Sequence, residues 1–490
     1  MKNTINSQQV ANTSVDVEVD ALCDQFSSVH PRVPQLGWPL LQNLQHNTLA
    51  TWAHIHTYGD AVRINMLGRA VHFLFHPALI RAVLMQDEQE FTKENRQVAV
   101  FKIAQGMNVL TAHGADWKRQ RRILNPAFAP KRVAGYMELM TQAAHDVNTF
   151  ALPQQVGVSK MLDAESYTTR LTMDVILRVL FSQRMPPAQV ASISASVRQL
   201  AQQGMRMLFW PLIPPAWFPY PGRRNTVRSR ALLSELIIQH IQARRTTHQT
   251  TTPDTAQDLL HVMLDAKDED AIDGMPERLL STQEIEDNCM AIFLAGHDTS
   301  ATALAWWMGF IATQPAACER ARREVLDVLG TQDTSSAIKL TPEHIARMPW
   351  LEATLKEAMR LRPPITAPFM RQANHDINIH GVQILEGDMV SMPIWQMHRD
   401  ERWFPDPESF KPERFLAGAP EIPRGAWMPF GTGPHVCIGQ HFAMTEMMML
   451  AALLLMQVRW TFNAGDSLPD PHMDIVLKSE RPILLKVEKI

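Results

Sequence analysis

The stretch Phe430-Gly431-Thr432-Gly433-Pro434-His435-Val436-Cys437-Ile438-Gly439 sets one cysteine in a glycine-rich loop that leads straight into the apolar segment Met444 to Met456. Loop glycines let the backbone pass close to a flat ligand. Backbone N–H groups near the start of the following helix point at the sulfur and stabilise its thiolate, so a cysteine presented this way suits a metal bond. The alternative is a free buried cysteine behaving as a small hydrophobe. The other cysteines, Cys23, Cys289 and Cys318, are widely spaced and form no CxxC pair. That argues against a disulfide framework and structural zinc, and fits a reducing compartment.

Two helices upstream carry polar residues in awkward places. Ser281 followed by Glu284 is a capping-box signature, and the apolar pattern then runs to about Thr313, stopped by Pro315. At 1.5 Å per residue this helix is about 45 Å long. In its middle, Asp298 and Thr299 set an acid beside a hydroxyl on a helix that otherwise reads as buried. Buried polar groups are costly without partners, so the two need partners or a function. A threonine hydroxyl can bond back to a preceding carbonyl, and the adjacent Gly296 lets the helix open into a notch. The alternative is a satisfied core threonine and a helix-surface aspartate. A second helix, from about Met348 through Arg360, must stop before Pro363-Pro364, because proline disfavours helical geometry in the residue before it. Glu357 and Arg360 stand three apart and share a face of it, where an exposed pair contributes only about 0.2–0.5 kcal/mol.

Helical patterning dominates from about Val133 to Arg360, with β-type segments near Tyr58 to Phe75, Ile377 to Val390 and Ile475 to Val487, so the chain reads as mainly α with small β-sheets. Residues 1–30 read as a polar tail and 31–490 as a single domain. The Thr-rich stretch Thr246 to Gln257 reads as an exposed loop rather than a domain boundary. With 47 Lys plus Arg against 50 Asp plus Glu, the balance gives no argument for nucleic acid. Met1 to Ser28 has neither a signal-peptide core nor the roughly 20 apolar residues that cross a bilayer, so the expectation is a cytoplasmic protein without a transmembrane anchor. The 28 methionines fall largely in apolar stretches, where a flexible thioether fills irregular gaps.

The loop resembles the haem-binding segment of the cytochrome P-450 superfamily, FxxGx(R or H)xCxG, with Phe430, Gly433, His435, Cys437 and Gly439 at its specified positions. Further motifs follow the family's order: Ala295-Gly296-His297-Asp298-Thr299-Ser300 is similar to the oxygen-activation motif, Glu357-Ala-Met-Arg360 to ExxR, and Phe410-Lys-Pro-Glu-Arg414-Phe415 to the PERF segment. Trp117-Lys-Arg-Gln-Arg121 is similar to the WxxxR of helix C. The resemblance runs from about Pro31 to the end.

It implies the superfamily's triangular, prism-like fold, with the long central helix over haem b and Cys437 as axial ligand of the iron. Trp117, Arg121, His435 and Arg371 become candidates to hold the haem propionates. Glu357, Arg360 and Arg414 become a buried network bracing the haem loop. Asp298 and Thr299 would deliver protons during oxygen activation. Ile292, Ala295, Gly296, Ile365 and Phe369 would line the substrate pocket, with Met205 to Pro221 as an apolar lid. The implied activity is monooxygenation: O2 is consumed and an apolar small molecule, such as a fatty acid, alkane, terpenoid or steroid, is hydroxylated, the first and third leading. Electrons would come from a separate ferredoxin or flavodoxin with its NAD(P)H-dependent reductase, docked on the basic helix containing Arg119 and Arg122. Alternatives are a haem-thiolate peroxygenase or isomerase, and a haem-binding sensor or carrier without catalysis.

Overall fold

The computed structural model describes residues 47–490 apart from 67–68, 211–212, 214–217, 249–257, 266–278 and 331–338. The N-terminal tail, most of the Thr-rich loop and the middle of the apolar lid therefore lie outside the described residues.

The helices that build the site are α1 (Asn95–Gln105), α2 (Gly114–Leu124), α3 (Ala164–Phe181), α4 (Thr282–Ala312), α5 (Pro349–Leu361) and α6 (Gln440–Gln457). A five-stranded sheet joins β1 (Ala61–Met66), β2 (Arg69–Leu74), β3 (Phe91–Lys93), β5 (Arg371–Ala373) and β8 (Met389–Ser391), in the order β1-β2-β8-β5-β3. Its only parallel pairing is β2 with β8. Smaller sheets pair β4 (Ser159–Asp163) and β9 (Val458–Thr461) with β12 (Leu484–Lys489), β6 (Ile377–Ile379) with β7 (Val382–Ile384), and β10 (Pro471–Met473) with β11 (Leu477–Ser479). The mainly α architecture with small sheets matches the expectation from the sequence, except for β4, which interrupts a stretch that reads as helical. Its sequence, Ser-Lys-Met-Leu-Asp, is mostly exposed and gives no alternating signal; β12 recruits it as a partner.

Helix α4 starts where its capping box says it should, with the Ser281 hydroxyl accepting from Glu284 N and the Glu284 carboxylate accepting from Ser281 N. It remains α-helical through Gly296 and Thr299, so no notch opens there. The physical reason is that the Thr299 hydroxyl donates to Ala295 O at 2.7 Å, a bond made inside the intact helix. α3 lies along α4, and its Thr168 and Thr172 hydroxyls donate to Ala301 O and His297 O, each at 2.9 Å. Helix α6 is apolar on every side from Met447 to Met456 and is buried on every side, as such a helix must be. No helix of the described residues is long and apolar enough to cross a membrane.

Candidate functional site

The cysteine loop is shaped before any ligand is considered. Gly431 and Gly433 have positive φ (72° and 78°), and a Cβ on Gly433 would lie 2.1 Å from Leu84 O, so only glycine fits there. Cys437 N donates back to Phe430 O at 2.9 Å and closes the loop. Gly439 is the N-cap of α6, and its N–H donates to the Cys437 sulfur. Burial pushes the Cys437 thiol up, while the Gly439 N–H and the charge of Arg121 pull it down. Protein surrounds Cys437 on all sides, yet the residue is exposed. Both statements hold because the sulfur faces an internal cleft.

Helix α4 opens onto such a space along one stripe. Ile292, Gly296 and Thr299 are half-buried and Ala295 is exposed, whereas Phe293, His297, Asp298 and Ser300 are buried. The spacing i, i+3, i+4, i+7 is one helical face, running through the middle of a helix that is otherwise core. Ile365 and Phe369 are half-buried as well, and Phe369 packs on Phe101 of α1 with ring centroids 5.0 Å apart. Every pocket residue proposed from the sequence therefore keeps open surface.

Around the loop stands a group of cations. Trp117 and Arg121 lie on α2; the Trp117 ring packs on His435 at 3.9 Å, and Arg121 is close enough to Cys437 for each to perturb the other. Arg371 on β5 is buried rather than at an exposed strand end, and its printed hydrogen bond goes to Phe369 O at 2.8 Å. Directly across the sheet in register is Lys93, also buried, which donates to Leu110 O and Ala112 O. Burial, and then the charge of Arg371, pull Lys93 down to about 7; burial pulls Arg371 down to about 10, against the attraction of Glu88. Glu88 is the acid nearest this group and is already engaged, accepting from Gly114 N and facing His435 Nε2 at 3.4 Å. For His435, burial pulls down and the Glu88 contact pulls up, with burial prevailing.

Sequence reasoning did not find Lys93 or Glu88, because both reach the site through strand pairing and chain folding rather than through a motif. Buried cations outnumbering their carboxylates need an anionic partner. An exposed-yet-enclosed sulfur beside a cationic rim and an apolar helical stripe fits a flat metal-bearing group with two carboxylates, such as haem.

The brace behind the loop is closed. Arg360 meets Glu357 through two bonds of 2.8 Å, with both side chains 0% exposed. Glu357 also accepts from Lys411 N at 2.8 Å and from Arg414 Nε at 3.4 Å. Arg360 continues to His398 O at 2.8 Å, and His398 Nε2 accepts from Met428 N, two residues before Phe430. Burial, followed by the charges of Arg360 and Arg399, pulls His398 down to about 3, so the ring is neutral and can accept. The three residues named from the sequence come together, and His398 is the link it missed.

Asp298 and Thr299 are adjacent in the chain but do not bond to each other in the described structure. Thr299 is satisfied by Ala295 O, and Asp298 pairs with Lys478 of β11, Nζ to Oδ1 2.6 Å, while the same ammonium lies 3.3 Å from Thr302 Oγ1. Lys478 is a further residue the sequence gave no signal for.

Comparison with known proteins follows the same lines. A family model described as Cytochrome P450 matches residues 31–487. The chain is 30% identical over 429 residues to a "Putative cytochrome P450 132" of Mycobacterium tuberculosis, covering 85% of this chain and 86% of the relative. It is 29% identical to a "Cyclooctatin synthase" of Streptomyces melanosporofaciens over 449 residues, 90% and 92% of the two chains. A human relative, "Cytochrome P450 4F12", is 28% identical over 497 residues, 94% of this chain and 89% of the other.

Proposed function

The chain belongs to the cytochrome P450 family and is a haem b monooxygenase, and from that premise we propose that Cys437 ligates the iron and that the α4 stripe Ile292, Ala295, Gly296 and Thr299 faces the reacting substrate. Haem held there supplies oxygen activation and C–H hydroxylation, and thiolate ligation favours O–O cleavage. The observation that carries the reading is the pairing of an exposed Cys437 inside the protein with one open helical face on α4.

The residues divide the remaining work. Gly439 N–H and Arg121 stabilise negative charge on the sulfur. Arg121, Arg371, Lys93 and His435, with Trp117 packed on the histidine, take the carboxylates of the haem. The loop positions Phe430, Gly433 and Gly439 shape the sulfur side, and Glu357, Arg360 and Arg414 hold that loop through His398. Thr299 turns its hydroxyl from Ala295 O into the cleft to steady and protonate bound oxygen. Asp298, held by Lys478, accepts or passes protons only when that ion pair loosens.

The substrate is an apolar small molecule, because the described stripe and its facing residues Phe101, Ile365 and Phe369 bear no charge. Fatty-acid-like and terpenoid compounds suit such a lining. Electrons come from a ferredoxin or flavodoxin with its reductase. The outer face of α2 supports this with exposed Lys118 and Arg122, whereas Arg119 is engaged by Glu284. The test is a spectral titration of the purified holoprotein with a panel of apolar compounds, followed by NADPH and O2 consumption with a generic ferredoxin system. Displacement spectra with apolar compounds, and a hydroxylated product, are expected. Product formed from peroxide alone, with no dependence on the electron donor, would overturn the monooxygenase reading of the cleft.

A further inference from the structure

Glu446 is a carboxyl in a place that ordinarily excludes one. It sits on α6 immediately before Met447-Met448-Met449, is 1% exposed, and its Oε2 atom is buried without a hydrogen-bond partner among the described residues. Its other contact is the Ser300 hydroxyl on α4, the residue that follows Thr299; α6 and α4 pack against each other. No cation is among the groups that perturb it. An ionised carboxylate in apolar surroundings with one hydroxyl partner is far more costly than the neutral acid, so the proton stays on. Burial accordingly pushes Glu446 up to about 8, against the opposing hydrogen bond of Ser300.

Asp298 is in the opposite position. It is paired with an ammonium at 2.6 Å, which makes it an acceptor of hydrogen bonds rather than a holder of a spare proton. A cleft that consumes protons thus has two acids beside Thr299, one in an ion pair and one carrying its proton.

We propose that Glu446, acting through the Ser300 hydroxyl, is a second proton source for the cleft beside Thr299, an inference that rests on the reading of that cleft as the oxygenation site. The transfer is a proton relay with no change of oxidation state. The O–H bond of the Glu446 carboxyl breaks as Ser300 Oγ takes that proton, and Ser300 releases its own hydroxyl proton to water on the Thr299 side. The carboxylate left on Glu446 is reprotonated by water at Oε2. A structural role alone would need only a neutral hydrogen-bonding side chain of this size. Glutamine supplies that and cannot give up a proton.

The experiment compares wild type, Glu446→Gln and Ser300→Ala holoproteins. Infrared spectra at neutral pH read the acid without turnover: a protonated-carboxyl C=O band present in wild type and missing in Glu446→Gln is expected. In turnover with a compound found by the panel, both variants should keep the reduced carbon monoxide spectrum of wild type while losing roughly tenfold more of their electrons as hydrogen peroxide, the scale of a lost general acid being tenfold or more. Wild-type peroxide yield in Glu446→Gln, or no band that disappears with this substitution, overturns the proposal and leaves the oxygenation reading standing. A wild type that yields no oxygenated product overturns the oxygenation reading itself, whatever the infrared spectra show.

Discussion

Two ion pairs on packed helices show how surroundings decide what a charge does. Glu357 and Arg360 on α5 are 0% exposed and every partner of the pair is protein: backbone at His398, Ser409 and Lys411, and the side chain of Arg414. Asp298 and Lys478 join α4 to β11 with side chains 12% and 25% exposed, beside a helical face that opens onto the cleft. The first pair is closed and can only hold shape. The second has room to exchange partners, which proton movement requires.

The largest effect should come from breaking the closed pair. Glu357→Ala leaves Arg360 buried without its carboxylate, a loss of about 3–5 kcal/mol. Because Arg360 connects through His398 to Met428, the damage reaches the loop before Phe430. Purified variant should show low haem content and a depressed melting temperature in calorimetry; a normal haem-to-protein ratio would mean that the network does not brace the loop.

A change on the open side should leave the fold alone. Thr299→Ala removes one hydroxyl bond inside an intact helix, for a net cost of about 1 kcal/mol, yet electrons should be diverted to hydrogen peroxide by roughly tenfold on the general-acid scale. Unchanged coupling would remove Thr299 from proton delivery. Lys478→Met should fall between wild type and Thr299→Ala in coupling, with haem content unchanged. An effect as large as that of Glu357→Ala on haem retention would show that the open pair is structural after all.

The smallest effect concerns the cationic rim. Burial lowers Lys93 from 10.5 to about 7 in the folded chain. The unfolded chain therefore binds the extra proton between those values, and the stability of haem-free protein should rise with pH from about 7 to about 10. Haem carboxylates keep Lys93 charged, so the slope should shrink in the holoprotein. Equal slopes in the two forms, measured by denaturant titration across this pH range, would place Lys93 away from the carboxylates.

How much of this could be read in the sequence depended on whether a feature is local. The capping box Ser281–Glu284 and the halt before Pro363 are set by neighbours in the chain, and both helix ends lie where the sequence places them. The open stripe at 292, 295, 296 and 299 follows from helical period once the family motif fixes the helix. Lys478 was invisible because its partner lies 180 residues away and a lone lysine in a short C-terminal strand carries no pattern. Lys93 meets Arg371 only through the pairing of β3 with β5, and Glu446 reads as one polar interruption in an apolar helix until Ser300 is brought against it. The Gly296 notch failed for a reason of energy rather than pattern: the Thr299 hydroxyl finds Ala295 O without the helix opening.

The account's central claim is that the sulfur of Cys437 holds the haem iron, and the reduced carbon monoxide spectrum reads that bond directly. Wild type should show the long-wavelength band of thiolate ligation, and Cys437→Ser should lose it whether or not haem is retained. A band that persists in Cys437→Ser would mean that another group holds the iron, and the assignment of the cleft would fall with it.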